Sequence, residues 1–146
     1  MKQEDKKLLL KGLCTMLPYK IIVKVNDTQG IMDEIDIPNE RIFVSNLNPF
    51  LYGGARASWF TVNGDEIYPY LRPMSSMTKE EKKELQEIAV ALSYNKDDIM
   101  IGTQINSFRQ LDGVLDLFNS HHLDWRGLIE KGLALEAPEG MYNLDK

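Results

Sequence analysis

The chain of 146 residues holds a single cysteine, Cys14, and only two histidines, His121 and His122. One cysteine excludes an internal disulfide, a cysteine-ligated zinc ribbon and a CxxC redox pair. Cys14 falls among Leu10, Leu13 and Leu17 and reads as a small core residue, the usual fate of a free cysteine. Long apolar runs are missing as well. No stretch approaches the roughly 18 apolar residues of a membrane span. The opening MKQEDKKLLLKGLC mixes acids with bases and lacks the small-residue cleavage site of a signal peptide. A cytoplasmic protein without membrane contact is expected. Excess positive charge is also lacking. The net charge is −5, with nine bases and nine acids in residues 1–73 but eight bases and thirteen acids in residues 74–146. A nucleic-acid partner needs a basic face, and only Lys6, Lys7 and Lys11 cluster, so none is expected.

Nucleotide and nucleophile motifs are absent in the same way. Gly53-Gly54 in YGGARAS is not followed by GxxxxGK[ST] and reads as a flexible loop. Ser75 and Ser76 lie outside any GxSxG and read as helix caps. No cofactor is implied. The proportions that remain, 43% apolar and 27% charged, are those of a globular domain. At this length folding buries roughly two-thirds of the chain's surface, enough for one core without a staple.

Periodicity divides the single domain 1–146 into four regions. Residues 1–18 read as a helix with Leu9, Leu10, Leu13, Cys14 and Leu17 on one stripe, stopped by Pro18. Residues 19–73 read as a sheet region. Tyr19, Ile21, Val23 and Val25 alternate with Lys20 and Lys24; NDTQG is a turn; Ile31, Ile35 and Ile37 form the inward face of a second strand; Arg41–Asn46 is a third. WFTV-NG-DEIYPY reads as a hairpin around Asn63-Gly64. Residues 74–132 read as helical. Thr78-Lys79-Glu80-Glu81 has the form of a capping box, and Leu85, Ile88, Ala89 and Leu92 line the helix after it. A short strand is expected at Ile99–Ile101. Ser107 caps a helix whose stripe is Phe108, Leu111, Leu115, Phe118 and His122, and Asp124 caps a last short helix ending at Lys131 with Gly132 at C′. Residues 133–146 read as an irregular arm. Strands in a block and helices in a block predict an α+β fold: an N-terminal helix, an antiparallel sheet of about five short strands, then three C-terminal helices packed on the sheet.

Two groups of residues are candidates for function. His121, His122 and Asp124 in NSHHLDWRGL are of metal-ligand and acid–base type. Their spacing is poor for either role, because neighbours on a helix diverge by about 100° and helical metal pairs favour i, i+4. A packed helix end explains the same residues: His122 half-buried and favoured in its protonated form by the helix dipole, Asp124 as a cap, Trp125 packed and Arg126 paired with an acid. The second group is aromatic. Phe50, Tyr52, Trp59, Phe60, Tyr68 and Tyr70 fall within residues 50–70; they suit sheet packing, and Trp59, Tyr68 and Tyr70 also suit a protein-binding face.

Three stretches carry a resemblance: LLLKGLCTMLPY, PYLRPMSSMTKEEKKEL and NSHHLDWRGLIEKGLALEAPEGMY. Together they resemble an uncharacterised family of small proteins from gut Bacteroides genomes and their phages and mobile elements. The resemblance implies a bacterial or phage cytoplasmic setting and an accessory role, and it brings no catalytic residue. The expected function is a non-enzymatic protein-binding or regulatory module with an unidentified protein partner. The alternative is a small metal-dependent or hydrolytic enzyme using His121, His122 and Asp124, completed by an acid such as Glu136 or Glu139.

Overall fold

The computed structural model describes residues 2–48, 50, 53–88, 92–94, 99–101 and 108–142, with side chains outside 92–110. Helix α1 (Gln3–Met16) has Glu4 and Asp5 in its first turn, where the helix dipole favours acids. Leu9, Leu10, Leu13 and Met16 are its buried face. Pro18 ends it within a 3-10 turn, Leu17–Tyr19. Cys14 is only half-buried beside this face, not within the core as its neighbours suggested.

Four strands then form a meander: β1 (Ile22–Val25), β2 (Thr28–Asp36), β3 (Arg41–Ser45) and β4 (Ser58–Thr61). The NDTQG turn is shorter than expected: Val25 already pairs with Thr28, so only Asn26 and Asp27 turn. Strand β2 also departs from the expected alternation. Met32, not Ile31, faces the core; a bulge between Met32 and Glu34 then shifts the register against β3, so that Ile35 packs against the core as expected, while Ile37 is exposed. Gly30 is required where β2 passes β3, since a Cβ there would stand 2.3 Å from the Ser45 carbonyl oxygen.

The expected hairpin across Asn63-Gly64 is not formed. Strand β5 (Ile67–Leu71) pairs with β1 while β4 pairs with β3, so the two arms lie on opposite flanks of the order β4-β3-β2-β1-β5-β8. Asn63-Gly64 is a turn, but its arms pair with different strands. This connection has a physical consequence. Four flat strand spacings span about 19 Å, and six chain steps reach about 21 Å when fully extended. Residues 61–65 are instead folded back, with the Asp65 N–H on Thr61 O at 3.0 Å. The sheet must therefore curl so that its β4 and β5 flanks approach each other.

After β5 come a 3-10 turn (Met74–Ser76), helix α2 (Lys79–Ile88), a two-stranded ribbon of β6 (Leu92–Tyr94) and β7 (Ile99–Ile101), helix α3 (Phe108–Ser120) and β8 (Leu135–Glu136). Leu92, expected on a helix, lies in β6. The expected strand at Ile99–Ile101 is there. The expected cap Ser107 and Ala89 lie outside the described residues. Among the described side chains of α3 the buried apolar positions are Val114, Leu117 and Phe118, Asn119 is buried beside them and Leu111 is exposed, so the packed stripe is rotated from the expected one.

The sheet is six-stranded and mixed, not an antiparallel sheet of five, because β8 joins β5 in parallel. Among the described residues the C-terminal region holds two α-helices, not three. Residues 124–132 form turns, in which Leu133 N–H bonds Leu128 O and Gly132 N–H bonds Ile129 O. That is the end of a helix without its body, with Gly132 in the expected C′ place. Nor do α2 and α3 lie on the sheet. One core joins α1, the inner sheet face and Leu128, Leu133 and Ala134; a second joins α2 and α3 through Met77, Leu85, Val114, Leu117, Phe118 and Leu123. Among the described residues no helix is long and apolar enough to cross a membrane.

Candidate functional site

The junction between the two cores is built on the residue that follows β5. Leu71 is fully buried in the first core, and Arg72 continues the strand into a bridge with Leu123. The Arg72 N–H donates to His122 O and the Asp124 N–H to Arg72 O, each at 2.8 Å. The Arg72 side chain is buried and makes a bidentate pair with Glu81 of α2, Nη1 to Oε2 at 2.7 Å and Nη2 to Oε1 at 2.8 Å. Its remaining contacts are the backbone oxygens of His121 (3.1 Å) and Ser76 (2.9 Å).

Glu81 stands there because it is the acid of the expected capping box. The Thr78 N–H donates to Glu81 Oε1 at 2.8 Å, and the Glu81 N–H donates to Thr78 Oγ1 at 3.2 Å. Thr78, not Ser75 or Ser76, is therefore the cap; Ser76 Oγ donates to Pro73 O. His121 Nδ1 lies 2.8 Å from Glu81 Oε2. Each carboxylate oxygen thus has two donors, which fills the acceptor capacity of the group. Burial alone would raise the Glu81 pKa, but Arg72, His121 and the Thr78 N–H outweigh it and hold the carboxyl well below its usual range. The hydrogen bond to Glu81 pushes the His121 imidazole up, against the opposing effect of burial.

His121, His122 and Asp124 are not brought together. His121 turns to α2. His122 turns the other way: its Nε2 lies 2.8 Å from Tyr19 O, and its ring stacks on Tyr142 with centroids 3.8 Å apart. Burial first, then the charges of Arg72 and His121, push His122 down to about 4. The imidazole is neutral at pH 7, contrary to the expectation that the helix dipole would keep it protonated; desolvation and two nearby cations outweigh the dipole. Asp124, the expected cap of a short helix, has no helix after it among the described residues; its carboxylate holds the turn instead, Oδ1 accepting the Leu128 N–H at 2.8 Å and Oδ2 the Ile129 N–H at 2.9 Å. Trp125 packs against the second core and donates its indole N–H to Asn119. Arg126 stacks over the Trp125 ring at 4.1 Å, and among the described residues it has no acid partner. No group of three or more metal-ligating side chains occurs among the described residues.

Glu136 and Glu139 lie elsewhere, on a cleft of about 490 Å³ whose walls are Arg72, Pro73 and Ser76 on one side and residues 136–140 with Tyr142 on the other. The remaining candidates share the outer face of the sheet. Register places Trp59 beside Phe43 and Tyr68 beside Lys24, with Tyr70 two residues along on the same side. Phe43 and Trp59 meet at 5.2 Å, and the Arg41 guanidinium lies 4.2 Å over the Trp59 ring while its Nε bonds Asp36. Ile22, Ile31, Phe43, Trp59, Tyr68 and Tyr70 are all half-exposed, and none belongs to either core.

Sequence reasoning passed over Arg72, Phe43, Arg41 and Tyr142. For Arg72 there was a signal: a lone base closing an apolar strand just before Pro73. For Tyr142 there was none, since the partners of its hydroxyl are more than seventy residues away and its ring meets His122 only through the fold. No protein-family model, curated protein or solved structure matches the chain.

Proposed function

We propose that the protein is a non-enzymatic protein-binding or regulatory module that presents the outer face of its curled sheet to a partner. The observation that carries this reading is the set of aromatics on that face, Phe43 and Trp59 on β3 and β4 and Tyr68 and Tyr70 on β5, all half-exposed and outside both cores. Tryptophan, tyrosine and arginine are the residues on which binding energy concentrates at interfaces, and Arg41 is already stacked on Trp59. The state of the polar candidates supports the same reading. Both Glu81 oxygens are filled by structural hydrogen bonds, which leaves no lone pair for a base, and each Asp124 oxygen holds a backbone N–H of the following turn. The bacterial or phage setting and a cytoplasmic location belong to this proposal and rest on the resemblance of the three motifs.

The test compares wild type with a Trp59→Ala/Tyr68→Ala/Tyr70→Ala variant as baits in bacterial lysate, after circular dichroism has shown that both fold. A specific partner is expected for wild type, with affinity for the variant reduced at least about thirtyfold, the loss of one interface hot spot. Equal capture by the folded variant, or no partner for wild type, would overturn the reading.

A further inference from the structure

One wall of the cleft is a strip of chain with few attachments. After β8 the Ala137 N–H donates to Leu71 O at 2.8 Å. Pro138, Glu139 and Gly140 are exposed, and Gly140 has φ +82. The Met141 N–H then closes a turn on Pro138 O. Beyond that turn the segment is held by Tyr142.

The Tyr142 hydroxyl occupies an unusual place. In the antiparallel pair of β1 and β5, Val23 lies opposite Pro69 and Lys24 opposite Tyr68. One step further puts Ile22 opposite Tyr70. The Asn26 N–H bonds Glu66 O, so alternation makes Ile22 and Tyr70 a hydrogen-bonding position of the ladder. The direct bond is replaced there by Tyr142, whose hydroxyl accepts the Ile22 N–H at 2.9 Å and donates to Tyr70 O at 2.8 Å. The ring lies against His122, which is itself fixed on Tyr19 O. Withdrawing the phenol leaves a donor and an acceptor facing each other. They can then bond directly, so release leaves no buried polar group unsatisfied.

We propose that residues 137–142 are a strap that closes the cleft, with the Tyr142 phenol as its pin, and that the strap opens as a local unit while both cores stay folded. Opening removes the wall that carries Glu139 and Gly140 and exposes the far side, Arg72 to Ser76. Segments held by few bonds open well below the global unfolding free energy, and among the described residues this one hangs on a backbone bond at Ala137 and on one side chain.

Amide hydrogen exchange on the full chain, followed residue by residue across low denaturant, tests this. The Ala137 and Met141 amides are expected to exchange at least tenfold faster than those of Met32 and Val44, with little denaturant dependence. Tyr142→Phe keeps the ring and removes the hydroxyl; it should speed the strap amides about tenfold further and leave Met32 and Val44 unchanged. Strap and core amides of wild type exchanging at one common rate would overturn the proposal without recourse to any variant. An unchanged strap in a folded Tyr142→Phe protein would remove Tyr142 as the pin.

Discussion

A single backbone position organises the end of α3. His122 has φ +59 and sits where helix ends favour glycine: its N–H bonds Asn119 O and the Leu123 N–H bonds Phe118 O. A left-handed conformation costs a residue with a Cβ about 1–2 kcal/mol, and the stack on Tyr142 and the bond to Tyr19 O offset it. His122→Ala loses those contacts and keeps the strain, whereas His122→Gly loses the contacts and is relieved of it. The glycine variant is expected to be the more stable of the two by about 1 kcal/mol in urea unfolding. Gly30 is the opposite case, a glycine needed for space. Gly30→Ala drives a methyl against the Ser45 carbonyl and Val44 Cγ1. A loss of about 2–4 kcal/mol is expected, read as a lower melting temperature, because backbone must move to make room.

Among the elements, β4 shows how an exposed edge is shielded. The Val62 N–H bonds Glu40 O and faces β3, so alternation turns the Thr61 N–H outward. Asp65 Oδ2 accepts that N–H at 2.8 Å, and the Asp65 N–H takes Thr61 O. The same carboxylate holds Asn26 through Oδ1, which ties the connection to the β1–β2 turn. Asp65→Ala should cost about 1–2 kcal/mol and free an edge for strand pairing; concentration-dependent association in sedimentation velocity would show the second effect. Helix α2 was legible in the sequence because its start is local: Thr78 and Glu81 are three residues apart and bond each other. The N-terminal helix was legible for the same reason, and so was the alternation of β1 over Ile22–Val25, but Tyr19 and Lys20, expected in that strand, belong to the 3-10 turn and its cap. Asn63-Gly64 marked a turn correctly but could not say that its arms pair with strands on opposite flanks. A parallel strand of two residues, β8, has no periodicity to read. The Arg72–Glu81–His121 contact spans 9 and 40 residues of sequence, and only the packed helices bring it together. The aromatic candidates were found by composition, while their common face needed the register.

At the scale of the whole molecule, a buried ion pair, Arg72–Glu81, lies where the two cores adjoin. Removing one partner strands a charge, so Glu81→Gln should cost about 3–5 kcal/mol. The double variant Arg72→Met/Glu81→Gln leaves no charge buried and should recover part of that loss in the same urea titration. The pH dependence follows from three groups. Glu81 is held down, so its contribution is in place above the ordinary carboxylate range and drains away as pH falls below it. His122 is held down to about 4, so acidification from 6.5 towards 4 favours the unfolded chain, which takes up the proton first. His121 is raised, so its contribution is complete below 6.5 and is lost as pH rises through its folded value. The urea midpoint should therefore peak near pH 6.5. His121→Ala should flatten the alkaline side of the curve, and His122→Asn the acid side between 4 and 6.5.

The first core has a further consequence for how the protein is made. Its first helix and five of the six strands are in the chain by Leu71, but Leu128, Leu133 and Ala134 are also part of it, and β8 pairs with β5 only once Leu135 and Glu136 have been added. During synthesis at about 5–20 residues per second, the interval between Leu71 and Ala134 leaves an unsealed apolar sheet waiting for several seconds. The nascent protein is in that interval a client for whatever shields hydrophobic surface at the ribosome.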